Sequence, residues 1–254
     1  MPLPKILGVI PSRYASSRLP GKPLVDICGH TMVEHVYRRA LASKVFSRLV
    51  VATDDQRIFD AVSAFGGEVK MTRCDHADGS SRVAEVAEQI EADYVINVQG
   101  DEPMLDPRML KELAEGIIAD KGCDSATMCL PIKNEEDFNN PNIVKVVRAQ
   151  SGRALYFSRS PIPYRRNETE CPLWEHIGVY AFTKEFLLKM VKLPATPLMR
   201  TESLEQLRIL EHGYTMTVIP TRYPSGGPNV NTPEDLEKVR EIVSKSGNIG
   251  NWNL

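Results

Sequence analysis

Two short stretches hold the residues best suited to chemistry. PSRYASSRLPGKPL, from Pro11 to Leu24, places Arg13, Arg18 and Lys22 within ten residues, with Ser16 and Ser17 between them. Guanidinium forks and a compact ammonium are donors for phosphate oxygens, and Pro20-Gly21 lets a backbone come close to them. Three cations so closely spaced suit a triphosphate better than a single phosphate, although a solvated basic turn would have the same composition. The stretch contains no G-x-x-x-x-G-K-[ST] and no G-x-G-x-x-G, which excludes a P-loop and a dinucleotide fingerprint. QGDEP, Gln99 to Pro103, is the second stretch. Asp101 and Glu102 are hard oxygen donors of the kind magnesium takes while leaving positions open for phosphate oxygens, and both are expected to face one crevice. Asp-Glu-Pro is also ordinary turn chemistry. A basic loop across from it favours the metal reading.

The elements that must position these stretches alternate. KILGVIP (5–11) reads as a strand buried on both faces, and the basic loop leaves its C-terminal end. A Thr31/Glu34 capping box then opens a helix with Met32, Val33, Val36, Tyr37 and Ala40 at helical spacing. RLVVAT (48–53) repeats the strand pattern, and Asp54 is placed to cap a helix carrying Ile58, Ala61, Val62 and Phe65. EVKMT, a helix with Val83, Val86, Ala87 and Ile90 inward, the strand YVINVQ, and a helix opened by Asp106-Pro107 continue the series. This βα rhythm predicts an α/β fold with a doubly wound, mainly parallel sheet whose ligands sit at the C-terminal strand ends. From about Pro131 to Phe182 the rhythm changes: VKVVRAQ and RALYFSRS read as a hairpin and HIGVYAF as a further strand, an inserted antiparallel lobe within one domain spanning 1–254. TKEFLLKMVK and ESLEQLRIL read as helices, TMTVIPT as a strand, and Thr232-Pro233 with Asp235 as the start of a last helix.

Composition narrows the class. The chain has 254 residues, 42% hydrophobic, with 31 Lys and Arg against 33 Asp and Glu. That balance gives no reason to bind nucleic acid or an anionic membrane, so any anion site must be local. Five cysteines (Cys28, Cys74, Cys123, Cys129, Cys171) form no C-x-x-C pair and read as reduced, mostly buried thiols of a cytoplasmic protein. No apolar run approaches the roughly 20 residues of a membrane span, and the first residues do not read as a signal peptide.

PSRYASSRLPGKPL, VATDDQRI, NVQGDEP, ALYFSRSPIPY, HIGVYAF, ESLEQLRIL and VNTPEDLEKV occur in an order and spacing that resemble the 3-deoxy-manno-octulosonate cytidylyltransferases, from Ile10 to about Arg240. The resemblance implies transfer of CMP from CTP to the anomeric hydroxyl of 3-deoxy-D-manno-octulosonate (Kdo), giving CMP-Kdo and pyrophosphate with Mg2+. It implies a nucleotide-diphospho-sugar transferase type of domain, a lobe that makes a homodimer, and a cytoplasmic place in lipopolysaccharide synthesis. Arg13, Arg18 and Lys22 would hold the triphosphate, with Pro11, Ser16, Arg82 and Gln99 also on the nucleotide. Asp101 would be the main magnesium ligand, and Arg13, Lys22 and Asp101 the catalytic set. Gln99, Arg159, His176, Tyr180, Glu205 and Gln206 would bind the sugar. For a sugar acid these types are apt, since Arg159 can orient a carboxylate and Glu205 and Gln206 can exchange hydrogen bonds with a polyol. Read without the resemblance, Glu205 and Gln206 fit a solvated helix face, and His176 fits a satisfied core histidine.

Two departures from the family pattern stand out. Asn231 occupies the place where the family usually has an aspartate, the expected partner of Asp101 at magnesium, and an amide oxygen there brings no charge. Ser80-Ser81 precedes Arg82 where the family tends to have Thr and an acidic residue. They leave open two alternatives, a related acidic sugar such as an amino-substituted Kdo, or a CTP-binding regulator with weakened catalysis.

Overall fold

The computed structural model describes residues 3–15, 18–167, 171–224 and 226–246. In chain order the strands and helices are β1 (Ile6–Ser12), β2 (Asp26–Ile27), β3 (His30–Thr31), α1 (Met32–Ala42), β4 (Arg48–Thr53), α2 (Gln56–Ala64), β5 (Val69–Met71), α3 (Gly79–Glu88), β6 (Tyr94–Asn97) and α4 (Pro107–Ala119). There follow β7 (Ser125–Pro131), α5 (Glu135–Asn139), β8 (Lys145–Arg148), β9 (Ala154–Ser158), β10 (Trp174–Thr183), α6 (Lys184–Met190), α7 (Pro197–Glu202), α8 (Leu207–Glu211), β11 (Thr217–Pro220) and α9 (Pro233–Ser246). The chain forms two compact units, one of residues 1–111 with 223–254 and one of residues 112–222.

In the first unit β6, β1, β4 and β5 are neighbours in that order and all parallel, with Val9 opposite Val50 and Gly8 opposite Ile96. β1 is paired on both edges, and Leu7, Val9 and Ile10 are fully buried, as a continuous apolar run requires. Because the strands are parallel, the segments after β1, β5 and β6 leave the same edge of the sheet. Both chemical stretches are therefore delivered to one place. A cluster of Ile27, Met32, Met104, Val230, Leu236, Val239 and Val243 packs α9 onto the residues that follow the basic loop.

In the second unit β7 pairs parallel with β11 and antiparallel with β10, while β8 pairs antiparallel with both β10 and β9. The predicted hairpin is β8–β9, and the expected lobe at 131–182 lies inside this unit.

Two local expectations are corrected. The helix after β4 is capped by Asp55, whose Oδ1 accepts from the Arg57 N–H at 2.9 Å, because the Asp54 carboxylate is taken by Arg82. ESLEQLRIL is not one helix. Ser203 adopts the left-handed conformation (φ 52°) and separates α7 from α8, while the Glu202 carboxylate accepts from Ser158 Oγ and the Arg159 N–H. All five cysteines are free thiols, two of them buried and two exposed, and burial pushes the Cys129 thiol up to about 12.

Candidate active site

A cavity of about 320 Å³ opens at the C-terminal strand ends of the first unit. Its lining brings together Pro11, Arg13, Arg18, Lys22, Arg82, Gln99, Asp101 and Asn231, residues drawn from four separate segments of sequence. Ser16 lies outside the described residues.

The basic loop turns at Gly21, whose φ of 68° belongs to the left-handed region and whose N–H donates to Tyr14 O at 3.1 Å. That turn starts the short 3-10 segment Lys22–Leu24 and aims Lys22 inward. Lys22 Nζ donates to Asp101 Oδ2 at 3.1 Å, to Val230 O at 2.9 Å and to Asn231 Oδ1 at 3.4 Å. Arg18 Nη2 reaches the same Asn231 oxygen at 3.1 Å. Val230 is fully buried, and its N–H donates to Asp101 O at 2.9 Å, so the segment before α9 is fastened directly to QGDEP. Gly100 sits against the end of β1, where a Cβ would come within 2.8 Å of Pro11 O. Only glycine allows that approach.

Glu102 does not share the crevice with Asp101. It is buried, with Oε1 accepting from Asn229 Nδ2 at 3.5 Å. Asp235 is equally committed, since Oδ2 accepts from the N–H groups of Asn231 and Thr232 at 3.1 and 3.0 Å and so caps α9. Arg82 lines the cavity, but its guanidinium is held from beneath by Asp54 Oδ2 at 2.6 Å and by Thr72 Oγ1. Ser81, one of the two departing serines, completes a capping box with Asp78 at the start of α3.

His76, Asp78 and Gly79 also line the cavity and were not singled out in the sequence. They occupy the segment between β5 and α3, and the strand-end rule that selected the other two loops points to this one as well. His76 Nε2 is hydrogen-bonded to Glu85 Oε2. Burial opposes the charge on Glu85, but the bonds from His76 and the Arg73 N–H outweigh it and hold the carboxyl below its usual range.

Of the residues expected at the sugar, Gln99 lines the cavity of the first unit and the others lie in the second unit. His176, on β10, is buried; Nε2 meets Thr127 Oγ1 at 2.9 Å and Nδ1 meets Gln206 Nε2 at 3.5 Å. Tyr180 donates to Gln206 Oε1 at 3.2 Å, and its ring lies 5.6 Å from the His176 ring. Burial pushes the His176 pKa down to about 3, so the ring is neutral. Arg159 is oriented by Glu202 O at 2.8 Å and Pro141 O at 3.1 Å, two neutral acceptors of its guanidinium. Glu205 instead pairs with Arg208 at 3.0 Å. Glu202, which fixes Arg159 through both carboxylate and carbonyl, escaped the sequence reading because the break at Ser203 was not visible there.

Among the described residues, no group of three or more His, Cys, Asp or Glu side chains could hold a metal by itself. No helix among them is long and apolar enough to cross a membrane.

A nucleotide-sized cavity lined by a basic loop with the Asp101 carboxylate facing it, at the ends of parallel strands, is what a nucleotidyltransferase needs, and the chain belongs to the cytidylyltransferases: the model of that family, described as "Cytidylyltransferase", matches residues 7–218. Within that class its relatives are 3-deoxy-manno-octulosonate cytidylyltransferases. The protein of that name from Syntrophobacter fumaroxidans is 48% identical over 95% of this chain and 98% of its own, and the one from Fusobacterium nucleatum is 47% identical over 96% and 99%. A solved structure of CMP:2-keto-3-deoxy-manno-octonic acid synthetase complexed with CTP is 45% identical and superposes with a TM-score of 0.91 over 95% of this chain and 99% of that one. A nucleotidyl transferase from Methanothermobacter thermautotroptrophicus, 15% identical with a TM-score of 0.61 over 95% of this chain and 99% of its own, shares the fold.

Proposed function

We propose that this protein transfers CMP from CTP to the anomeric hydroxyl of Kdo, releasing pyrophosphate. The observation that carries the reading is the convergence of Arg13, Arg18, Lys22, Gln99 and Asp101 on one cavity, in a chain 45% identical to a synthetase solved with CTP. The anomeric oxygen attacks the α-phosphorus in line, the bond to the β-phosphate oxygen breaks, and pyrophosphate leaves with that electron pair while the hydroxyl proton passes to solvent. No covalent nucleophile is needed. The work is positioning and charge neutralisation, and Arg13, Arg18 and Lys22 supply both for a polyanion.

Mg2+ belongs to the same proposal. Asp101 with the nucleotide's own phosphate oxygens fits an ion that takes one or two carboxylates plus substrate phosphates. When bound there it neutralises phosphate charge and makes the attacking hydroxyl more acidic. On the acceptor side Arg159 orients the sugar carboxylate, and neutral His176 with Tyr180, Glu205 and Gln206 addresses the hydroxyls. The protein acts as a homodimer in the cytoplasm, feeding lipopolysaccharide assembly.

The test is pyrophosphate release from each of the four nucleoside triphosphates with Kdo across a magnesium series. Release from CTP well above the other three is expected. Absence of release from CTP at every magnesium concentration overturns the reading, and a panel of sugar acids separates Kdo from an amino-substituted relative.

A further inference from the structure

We infer that Asn231 sets the charge of the phosphate site, so that this protein binds a nucleoside triphosphate or pyrophosphate without a metal ion. The inference rests on the nucleotide reading above and adds what the site prefers. The Lys22 ammonium has three N–H donors and meets three acceptors: a backbone carbonyl at 2.9 Å, the Asp101 carboxylate at 3.1 Å and the Asn231 carboxamide at 3.4 Å. Asn231 is the longest of the three contacts and is uncharged. The same oxygen is the acceptor of Arg18 at 3.1 Å.

A phosphate oxygen arriving at Lys22 and Arg18 therefore has to displace only a neutral amide oxygen. The donors are already cations, so replacing a neutral acceptor by a phosphate oxygen adds the attraction between opposite charges, and the exchange favours the phosphate. A carboxylate at 231 would hold both cations on equal terms with the ligand and cancel one positive charge. The frame around the side chain is rigid: Val230 is fully buried, and the N–H of Asn231 is fixed by Asp235 Oδ2 at 3.1 Å. Displacement can thus occur at the side chain while the backbone stays in place. As it stands, Lys22 is paired with the Asp101 carboxylate while Arg18 meets the neutral Asn231 amide, and Arg13, Arg18 and Lys22 outnumber the two lining carboxylates, Asp78 and Asp101, which leaves the site positive.

Calorimetric titration of CTP and of pyrophosphate, each in chelator and each with Mg2+, tests this on wild type, Asn231→Asp and Asn231→Ala, with thermal melting to confirm folding. Wild type should bind both ligands in chelator, more weakly as salt rises. Asn231→Asp should lose about tenfold or more in chelator and regain part of it with Mg2+, while Asn231→Ala, which keeps the charge, should stay within about threefold of wild type. Equal affinity of wild type and Asn231→Asp in chelator would overturn the inference, as would a loss in Asn231→Ala as large as that in Asn231→Asp. Wild type binding CTP only with Mg2+ would overturn it without any variant. Wild type binding neither ligand under any condition would overturn the nucleotide reading itself, and this inference with it.

Discussion

Asp54→Ala probes the wiring beneath the cavity. Arg82 has 4% of its side chain exposed, and its guanidinium meets Asp54 at 2.6 Å, with Thr72 Oγ1 as the other acceptor. Removing Asp54 leaves a buried cation with one neutral partner, and breaking such a pair from one side costs about 3–5 kcal/mol. Because Arg82 also lines the cavity, water can reach part of it, which puts the expected loss at the lower end, about 3 kcal/mol. Urea denaturation should show that loss, with a fall in melting temperature of about 6–12 °C. Adding Arg82→Met to the same chain should recover part of the stability, since it removes the charge that Asp54 no longer compensates. CTP should raise the melting temperature of Asp54→Ala more than that of wild type, because the released guanidinium can then pair with a phosphate. A loss below about 1 kcal/mol, or a double variant no more stable than the single, would refute the claim that Asp54 neutralises Arg82.

Asp101→Ala should abolish CMP transfer and leave the melting temperature within a few degrees of wild type; retained pyrophosphate release would remove Asp101 from the phosphate site. Arg159→Met should raise KM for Kdo by about tenfold or more while leaving KM for CTP near wild type, as expected for loss of a charge-assisted bond to a carboxylate; equal effects on both would assign Arg159 to the fold. His176 supplies a pH test: its folded pKa is held at about 3 against 6.5 for the free side chain, so the unfolded chain takes up the proton first. Its contribution to stability is complete above pH 6.5 and is lost as pH falls towards about 3, at up to about 1.4 kcal/mol per pH unit. His176→Gln should flatten that slope in denaturant titrations from neutral to mildly acidic pH, and an unchanged slope would show that His176 is solvated.

Much of this was legible locally. The β-branched run at β1, the Thr31 cap, the Asp106-Pro107 start of α4 and the hairpin β8–β9 follow from periodicity, capping chemistry and turn residues, which act over a few positions. The parallel rhythm of the first unit was enough to place the basic loop and QGDEP at one sheet edge. Where the sequence misled, a distant side chain had won a local competition. Asp54 was drawn from its cap by Arg82, 28 positions away, and the helix through ESLEQLRIL was broken where Glu202 turned to Ser158 and Arg159.

By itself the sequence determined the element series, the cation-rich loop and the likeness to a cytidylyltransferase family, because these depend on residue types at short separations. Tertiary structure alone decided what those residues do to one another. It turned Glu102 inward while leaving Asp101 at the cavity, committed Asp235 to a helix cap, and set Asn231 against Arg18 and Lys22 across 213 and 209 positions of chain. The physical reason is the same in each case. A hydrogen bond or ion pair depends on distances of about 3 Å, and only the packing of α9 through Val230, Leu236 and Val239 brings those groups so close.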